Sequence, residues 1–585
     1  MVRKLKDEQM PRPTMSESDE KLVIALDFGT TYSGVAFCFA NQDNTKPAAI
    51  MDWPGDHGIS VPKIPTVVAY GKQPHGFFKW GASVAELDTG IIGIKLLLDP
   101  EQERPTYLPS TNAQRDIRML PKQPVEIAAD FMGAIYKHAL DEISKTVPKA
   151  YMDLCSKEFV LSVPAVWSDA AKNATLLAAK RAGIHPVTLI KEPEAAALHT
   201  VKTLDFSIKK GDAFVVCDAG GGTVDLISYE VHQVVPNLQV KEIVPGTGGM
   251  AGSMGLNQRF AQAVQNLIGD EQWFPLKKSK AWAIAQRQFD QEVKKAFRGD
   301  PDEEYFVNFP MADLEDDPQS GLVSNTWRMT GSDLARIFNP LIEDVLKLIE
   351  LQVQASKLKR PGTGVSGIML VGGFGSSRYL MLRAKSRFPD IQVLQPQDAW
   401  AAIVKGAVLS KIPGQASVMS TSSTKHYGTS MDALYSSAKD WGQPTFIRRD
   451  GSTGVEKVSF LTLMAWFINK GEDIQRDHKI KFSFFRTLEK GYTNPELIFR
   501  DKLYECQDSL APIYPSAARN MRENCSVRAD LTSIPKSYLI KKKDPHGVAY
   551  YEVHYNLVIS LESAIMTFSL EVDGKTMGSV NVDYK

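Results

Sequence analysis

Two segments of this chain, VIALDFGTTYSGVAF at 23–37 and AFVVCDAGGGTVDLISYEV at 213–231, repeat one arrangement of chemically capable residues. In each, an apolar run predicts a buried strand that ends at an aspartate, Asp27 or Asp218, and a turn of glycine and threonine follows. Glycine reaches positive φ freely and lets backbone N–H groups approach a ligand closely. The candidate phosphate-binding residues are Gly29, Thr30, Thr31 and Tyr32 in the first turn, and Gly220, Gly221, Gly222 and Thr223 in the second.

The two aspartates are the candidate metal-holding residues. Mg²⁺ binds carboxylate oxygens and keeps several of its waters, and a carboxylate at the end of a buried strand is costly to bury without a partner. One strand-glycine-strand unit is typical of an ordinary hairpin. Two units with the same order of aspartate, glycine and threonine predict two related lobes that hold one nucleotide with Mg²⁺ between them.

A third glycine turn lies in GIMLVGGFGSSRYLMLRAK at 367–385. It predicts a buried strand, a turn at Gly372 and Gly373, and a helix capped near Ser376 and Ser377. The amides of such a turn and the N-terminus of its helix suit a nucleotide. The pattern alone also fits a tight connection between a strand and a helix, so its place after the two hairpins carries the nucleotide interpretation.

Five motifs follow one another in a fixed order along residues 21–410: LDFGTTYSGVAF, VPAVWSDAAKNATLLAAKRAGI, LIKEPEAAALHT, VVCDAGGGTVDLISYEV and IMLVGGFGSSRYL. Their order and spacing resemble the heat-shock-70 chaperone family of the actin-like ATPase superfamily, in its divergent, shorter eukaryotic branch. The resemblance implies an α/β fold, with a duplicated two-lobed actin-like (ribonuclease H-like) ATPase domain and a smaller β-sandwich-like domain after it.

The resemblance also implies roles for individual residues and two cofactors, ATP and Mg²⁺. Asp27 and Asp218 match the catalytic and metal-organising aspartates, and Glu192 matches the catalytic carboxylate near the attacking water. The nucleotide-binding positions are the two turns already given, the helical pair Lys294 and Lys295 at the adenosine, the turn Gly372 and Gly373, and the final aspartate, Asp398.

The chain departs from the family at its catalytic lysine. Ala85 or Val84 falls where that lysine belongs, while Lys79 lies a few residues early and Lys95 too late. Loss of one such charge costs on the order of several kcal/mol of transition-state stabilisation. We therefore expect ATP binding to survive and hydrolysis to be slow.

Composition changes along the chain predict four regions. Residues 1–20, rich in charge and proline, are expected to be a disordered tail, and residues 21–410 the nucleotide-binding domain. The small polar residues of 411–424 predict a linker. Beyond them, 425–585 is a β-rich region that resembles a degenerate substrate-binding domain without its helical lid.

Charge and cysteine content narrow the class of protein. The 68 basic and 68 acidic residues give no net charge, so a nucleic-acid partner is not indicated. Five scattered cysteines without metal-ligand spacing favour a reducing compartment. No apolar run is long enough for a membrane span. The cytoplasm is the expected location.

Three functions remain open from the sequence. The first is a heat-shock-70-like ATP-binding protein with weak ATPase activity that also binds peptides. The second is a nucleotide-dependent scaffold or regulator that does not hydrolyse ATP, and the third is a small-molecule kinase of the same superfamily. The resemblance implies ATP or ADP, an unfolded or extended peptide client and a co-chaperone as partners. A β-domain without a lid is expected to bind extended peptides by strand addition and to release them quickly.

Overall fold

A computed structural model of the chain describes residues 20–40, 46–55, 60–71, 78–84, 90–99, 118–203, 208–448, 458–476, 478–544 and 546–585. The tail predicted for 1–20 lies outside these residues except for Glu20, and so does Ala85. In these ranges no helix combines the length and hydropathy that crossing a bilayer requires.

The first lobe is built on a six-stranded sheet. Lys21–Asp27 pairs antiparallel with Tyr32–Phe39 and parallel with Ser156–Val163. The turn after Asp27 therefore lies at the carboxyl end of two parallel strands. In spatial order the strands are Ala48–Ala49, Tyr32–Phe39, Lys21–Asp27, Ser156–Val163 and Val187–Lys191, and Ile64–Pro65 pairs separately with Tyr32–Phe39.

The second lobe repeats this arrangement in a seven-stranded sheet. Ala213–Ala219 pairs antiparallel with Val224–Gln233 and parallel with Gly367–Val371. In each sheet, the first strand of the hairpin thus has one antiparallel and one parallel neighbour, as expected of a duplicated fold. The strand order is Gln392–Leu394, Gly367–Val371, Ala213–Ala219, Val224–Gln233, Gln239–Gly249, Ser417–Ser422 and Asp473–Gln475.

Two helices join the lobes. Glu192–Thr203 and Ala402–Leu409 share one hydrophobic core with inward side chains of both sheets. Their contact is close, because a Cβ on Gly406 would lie 1.7 Å from the carbonyl oxygen of Ala195. Only glycine fits at this position, so Gly406 allows the two helices to pack this closely.

The remaining helices lie in both lobes and in the C-terminal region. Amphipathic spacing predicts helices over 127–143, 170–182, 282–297 and 331–358, and helical structure is present in all four. The third contains a π turn at Phe289–Val293. Besides the two joining helices, the α-helices are Pro124–Thr146, Lys149–Leu154, Asp169–Arg181, Met254–Lys277, Lys280–Gln288, Lys294–Ala296, Gly331–Lys359, Gly372–Gly375 and Arg378–Arg387. The 3₁₀ helices are Gly81–Ser83, Ile94–Leu98, Asn494–Leu497, Pro515–Ala517 and Lys536–Tyr538.

Two small three-stranded sheets stand apart from the main ones. One is formed by Val67–Tyr70, Phe78–Trp80 and Ile91–Ile92, and it precedes the long helices of the first lobe. The other is formed by Glu304–Asn308, Leu322–Val323 and Thr326–Thr330, and it packs on the hydrophobic core of the second lobe.

The stretch 411–424, predicted as a linker, contains a strand of the second lobe. Ser417–Ser422 pairs parallel with Gln239–Gly249 and antiparallel with Asp473–Gln475. Ile412 and Val418 are buried in the core between the lobes. Small polar residues suggested a flexible segment, but their backbone groups are paired in the sheet and the two apolar side chains anchor it.

The C-terminal region forms two antiparallel sheets that share one hydrophobic core. Side chains from the strand Met521–Asp530 of one sheet and from Ala549–Leu561 of the other meet in that core. The first sheet runs Phe446–Arg448, Val458–Ile468, His426–Leu434, Ile498–Cys506, Met521–Asp530 and Ser579–Tyr584, and the second runs Lys479–Glu489, Ala549–Leu561, Met566–Val572 and Lys575–Thr576, with Ile540–Lys543 beside Ala549–Leu561.

Candidate functional site

The predicted turns line one cavity of about 600 Å³ between the two lobes. Residues of both sheets, of the joining helix and of the third glycine turn contribute to its wall. Of the residues predicted from the sequence, Asp27, Gly29, Thr30, Thr31, Tyr32, Glu192, Asp218, Gly220, Gly221, Gly222, Thr223, Lys294, Lys295, Gly372 and Gly373 line this cavity.

The two hairpin turns touch each other across the cavity. A Cβ on Gly221 would lie 2.0 Å from the Thr31 hydroxyl oxygen, and one on Gly222 would lie 3.0 Å from Cγ2 of Thr30. Glycine is therefore required in the second turn because the threonines of the first occupy the space of a side chain. Backbone amides and hydroxyls from both lobes thus lie in one place, as phosphate binding requires.

Asp27 pairs with Lys63, a residue that the sequence did not indicate as part of the site. Lys63 Nζ donates to Asp27 Oδ2 over 2.7 Å, and Ser162 Oγ donates to Oδ1 over 2.7 Å. Burial alone would raise the pKa of Asp27, but the charges of Lys63 and Lys95 and the two hydrogen bonds together lower it. Asp27 is therefore an ionised carboxylate, 2% exposed, at the edge of the cavity.

Glu192 forms a buried ion pair with a second unpredicted cation, Lys95. Glu192 is the first residue of its helix, and Lys95 lies in the 3₁₀ helix Ile94–Leu98 with its Nζ 5.4 Å from the ring centroid of Trp167. Burial raises the pKa of Glu192 to about 7, repulsion from Asp27 adds to the rise, and Lys95 opposes it. A carboxyl with this pKa can accept a proton near neutral pH.

Two aspartates of the second lobe carry unpaired oxygens. Among the described residues, Asp218 Oδ1 and Asp225 Oδ2 are buried without a hydrogen-bond partner. Burial and the nearby charges of Glu192 and Asp225 raise the pKa of Asp218 well above its usual value. Gly372, at φ +84°, lies against Asp218, because a Cβ there would lie 2.2 Å from Oδ1. The unpaired oxygen of Asp218, which lines the cavity, is therefore available to a cation bound there.

The donor set fits Mg²⁺ with water in its coordination shell. Among the described residues that are buried near the joined turns, the carboxyl groups are those of Asp27, Glu192, Asp218 and Asp225, and the ammonium groups are those of Lys63 and Lys95. A divalent cation would balance this difference. Within the described ranges no three His, Cys, Asp or Glu side chains could hold a metal unaided. Mg²⁺ commonly takes one or two carboxylates and completes its shell with waters and phosphate oxygens.

Lys294 and Lys295, the predicted lysine pair on the helix Lys294–Ala296, make different contacts. Lys294 Nζ donates to Asn257 Oδ1 over 3.0 Å and forms an ion pair with Asp290. Burial lowers the pKa of Lys294 and Asp290 opposes that change. The Nζ of Lys295 instead lies 5.5 Å from the ring centroid of Trp400. Both lysines line the cavity, but Lys294 is half-buried and paired with Asp290, whereas Lys295 lies beside an aromatic ring.

Asp398 does not belong to the residues that line the cavity. Its carboxylate contacts His199 Nε2 at 2.9 Å and accepts a hydrogen bond from Lys405 Nζ at 2.8 Å. The hydrogen bond with His199, together with that from Lys405, lowers the pKa of Asp398 against the effect of burial. Asp398 thus connects the two joining helices, and its sequence neighbour Trp400 contacts the cavity instead.

The segment that lacks the family lysine reaches the cavity through Val84, which lines it. Ala85 lies outside the described residues. Lys79, on the strand Phe78–Trp80, is not among the lining residues, whereas Lys63 and Lys95 are. The sequence around Lys95 indicated its burial, because a single lysine between Ile94 and the three leucines 96–98 is expected to be buried and paired. The sequence around Lys63 contained no such indication.

Comparison with known proteins identifies the family. The family model described as "Hsp70 protein" matches residues 23–385, which include the strands of both hairpins, Glu192 and the third glycine turn. This match spans more than half of the chain.

Individual relatives agree with the family match. Heat shock 70 kDa protein 12A of Homo sapiens is 24% identical over 482 residues, covering 66% of this chain and 69% of that protein. Heat shock 70 kDa protein 12A of Mus musculus is 24% identical over 491 residues, covering 68% and 70%. Heat shock 70 kDa protein 12B of Homo sapiens is 25% identical over 510 residues, covering 69% and 71%.

Proposed function

Because this chain belongs to the Hsp70 family, we propose that it binds ATP with Mg²⁺ between its two lobes and hydrolyses it slowly. One observation carries the proposal: the glycine and threonine turns of both lobes meet across a single cavity, with a buried aspartate behind each. The family has a two-lobed actin-like ATPase fold, and the duplicated sheets fit its two lobes.

Phosphate recognition is assigned to the two turns and the buried lysines. The backbone of the turns after Asp27 and Asp218 and the side chains of Thr30 and Thr31 line a shared space. Amides and hydroxyls held by a rigid turn bind a polyphosphate without reorganising. Mg²⁺, when bound beside Asp218, supplies positive charge that neutralises phosphate oxygens.

Hydrolysis requires a base and a cation near the terminal phosphate. Glu192, with a pKa of about 7, fits the base that orients and deprotonates a water. Lys95 keeps Glu192 in place, and Lys63 keeps Asp27 in place. These two lysines supply the positive charge that the segment around Val84 lacks. Both already neutralise a carboxylate, which is consistent with slow turnover.

The same ion pairs favour a second function, a nucleotide-dependent scaffold or regulator without hydrolysis. If Lys63 and Lys95 remain on their carboxylates when ATP binds, neither can stabilise the transferred phosphoryl group. The protein would then hold intact ATP, and the nucleotide would fix the arrangement of the lobes.

We assign peptide binding to the C-terminal region, which we interpret as a β-sandwich-like domain. Its first sheet carries large apolar side chains that are exposed, among them Met431, Leu434 and Ile447. Such surfaces suit extended peptide segments that add to a sheet. All five cysteines are free and buried, which suits a reducing cytoplasm.

The deciding experiment pairs calorimetric titration of the full chain with Mg-ATP and single-turnover hydrolysis of labelled ATP. Binding with measurable turnover supports the ATPase. Binding without turnover over several hours supports the scaffold. No binding of Mg-ATP refutes both.

A further inference from the structure

Trp400 occupies a distinctive place in the cavity wall. Of the tryptophans that the structure describes, it is the one whose side chain lines the cavity. Its indole N–H donates to Ser376 Oγ over 2.9 Å, and its ring meets that of Tyr32 edge-on, with centroids 5.8 Å apart. Contacts from the first hairpin turn and from the third glycine turn therefore fix the orientation of the indole.

Small and cationic groups surround the same indole. A Cβ on Gly373 would lie 3.8 Å from the six-membered ring of Trp400, so glycine leaves the space beside the indole open. The Nζ of Lys295 lies 5.5 Å from its centroid, within the range of a cation–π contact. The indole is half-buried, whereas the neighbouring Phe374 is 3% exposed.

The chemistry of the cavity divides between two regions. Amides, hydroxyls and charged groups around Asp27 and Asp218 suit phosphate and metal. The helical lysine Lys294 forms an ion pair with Asp290, so its charge is already neutralised by a neighbouring carboxylate. The wide aromatic surface beside Gly373 suits a planar aromatic group instead.

We infer that Trp400, with Lys295 beside it, is the stacking surface for the purine base of the bound nucleotide. This inference rests on the proposed function, because it concerns the base of the same ATP. Stacking on an aromatic side chain is sequence-tolerant, since every base has a π face. Trp400 therefore determines how much the base, and not the phosphates, contributes to affinity.

The test compares full-length wild type, Trp400→Ala and Trp400→Phe by calorimetric titration with Mg-ATP. We expect Trp400→Ala to weaken ATP binding about tenfold or more, the loss of one base–aromatic stack. Trp400→Phe retains an aromatic face, so it should bind within about threefold of wild type. Trp441→Ala, at an exposed tryptophan of the C-terminal region, is the matched control and should leave the affinity unchanged.

Tryptophan fluorescence supplies a second measurement that does not depend on affinity. ATP should quench the wild-type fluorescence, and Trp400→Phe should lose that quenching at saturating ATP. Equal ATP affinity of Trp400→Ala and wild type would overturn the inference, and so would full quenching in Trp400→Phe. A Trp400→Phe affinity as weak as that of Trp400→Ala would also contradict it. If wild type itself fails to bind Mg-ATP, the proposed function fails together with the inference.

Discussion

At the residue scale, the two aspartates behind the hairpin turns have different protonation chemistry. Asp27 is stabilised as an anion by Lys63 and Ser162. Asp218 has an unpaired buried oxygen, and burial disfavours its ionised form. Asp218 is thus the carboxyl that gains most from a bound cation.

We predict that Asp27→Asn and Asp218→Asn each weaken Mg-ATP binding about tenfold or more, because the first removes an ionised carboxylate and the second removes a carboxyl that could ionise against a bound cation. Calorimetric titration measures this directly. Asp390→Asn, at an exposed aspartate outside the cavity, is the control. Melting curves establish that the variants fold, and an unchanged affinity in both would contradict the site assignment.

We predict that the single-turnover rate rises with pH, with its midpoint near pH 7, and levels off at higher pH, because Glu192 acts as a base only when ionised. Lys95→Met removes the cation that lowers the pKa of Glu192, so the rise should move to higher pH. Lys95→Arg keeps the charge and should restore most of the original profile. Rates from pH 5.5 to 9 at saturating Mg-ATP test both expectations, and identical profiles in wild type and Lys95→Met would exclude this role for Lys95.

At the element scale, the strand Ser417–Ser422 determines where the nucleotide-binding region ends. Its pairing with Gln239–Gly249 places it in the second-lobe sheet. Ile412 and Val418 fill the core between the lobes. A boundary at residue 410 therefore removes part of the sheet and of the core.

We predict that a fragment of residues 20–410 folds and binds ATP but is less stable than one of residues 20–424. Burial of a valine or isoleucine side chain contributes about 1.5–3 kcal/mol, so the shorter fragment should lose about 3 kcal/mol or more. Urea denaturation of both fragments measures the difference. Equal free energies of unfolding would mean that the strand does not stabilise the lobe.

At the scale of the whole molecule, one helix connects the cavity with the C-terminal region. Glu192 begins this helix at the cavity, and Glu194 lies two residues later. The Ser563 hydroxyl donates to Glu194 Oε2 over 2.7 Å, and Arg476 forms an ion pair with Glu194. Ile565 packs into the core of the first lobe. The C-terminal sheets are thus fixed to the nucleotide-binding lobes close to the candidate base.

We predict that Arg476→Ala destabilises the chain by about 3–5 kcal/mol, because it leaves Glu194 buried without its counter-charge. The matched control is Arg387→Ala, which breaks an exposed ion pair with Glu350 and should cost less than about 1 kcal/mol. Urea denaturation of the full chain gives both values. Equal effects of the two substitutions would show that the pair with Arg476 contributes no more than a surface contact.

The sequence by itself determined the features that depend on neighbours along the chain. An apolar run before Asp27 or Asp218, and glycines after it, specify a strand and a tight turn locally, so both hairpins could be placed without a structure. The helices over 127–143, 170–182 and 331–358 were predictable for the same reason, since amphipathic spacing is a local property, whereas Met254–Lys277 was not predicted. The family resemblance added the assignment of Glu192.

Only the tertiary structure decided which groups meet. Lys63 contacts Asp27 from 36 residues away, and Lys95 contacts Glu192 from 97 residues away. Such pairs depend on how distant strands and helices pack, and no local pattern specifies them. Trp400 lines the cavity and Asp398 contacts His199, because the packing of the joining helices fixes which side chain of that turn faces the cavity. Packing against a distant strand likewise made the expected linker part of a sheet.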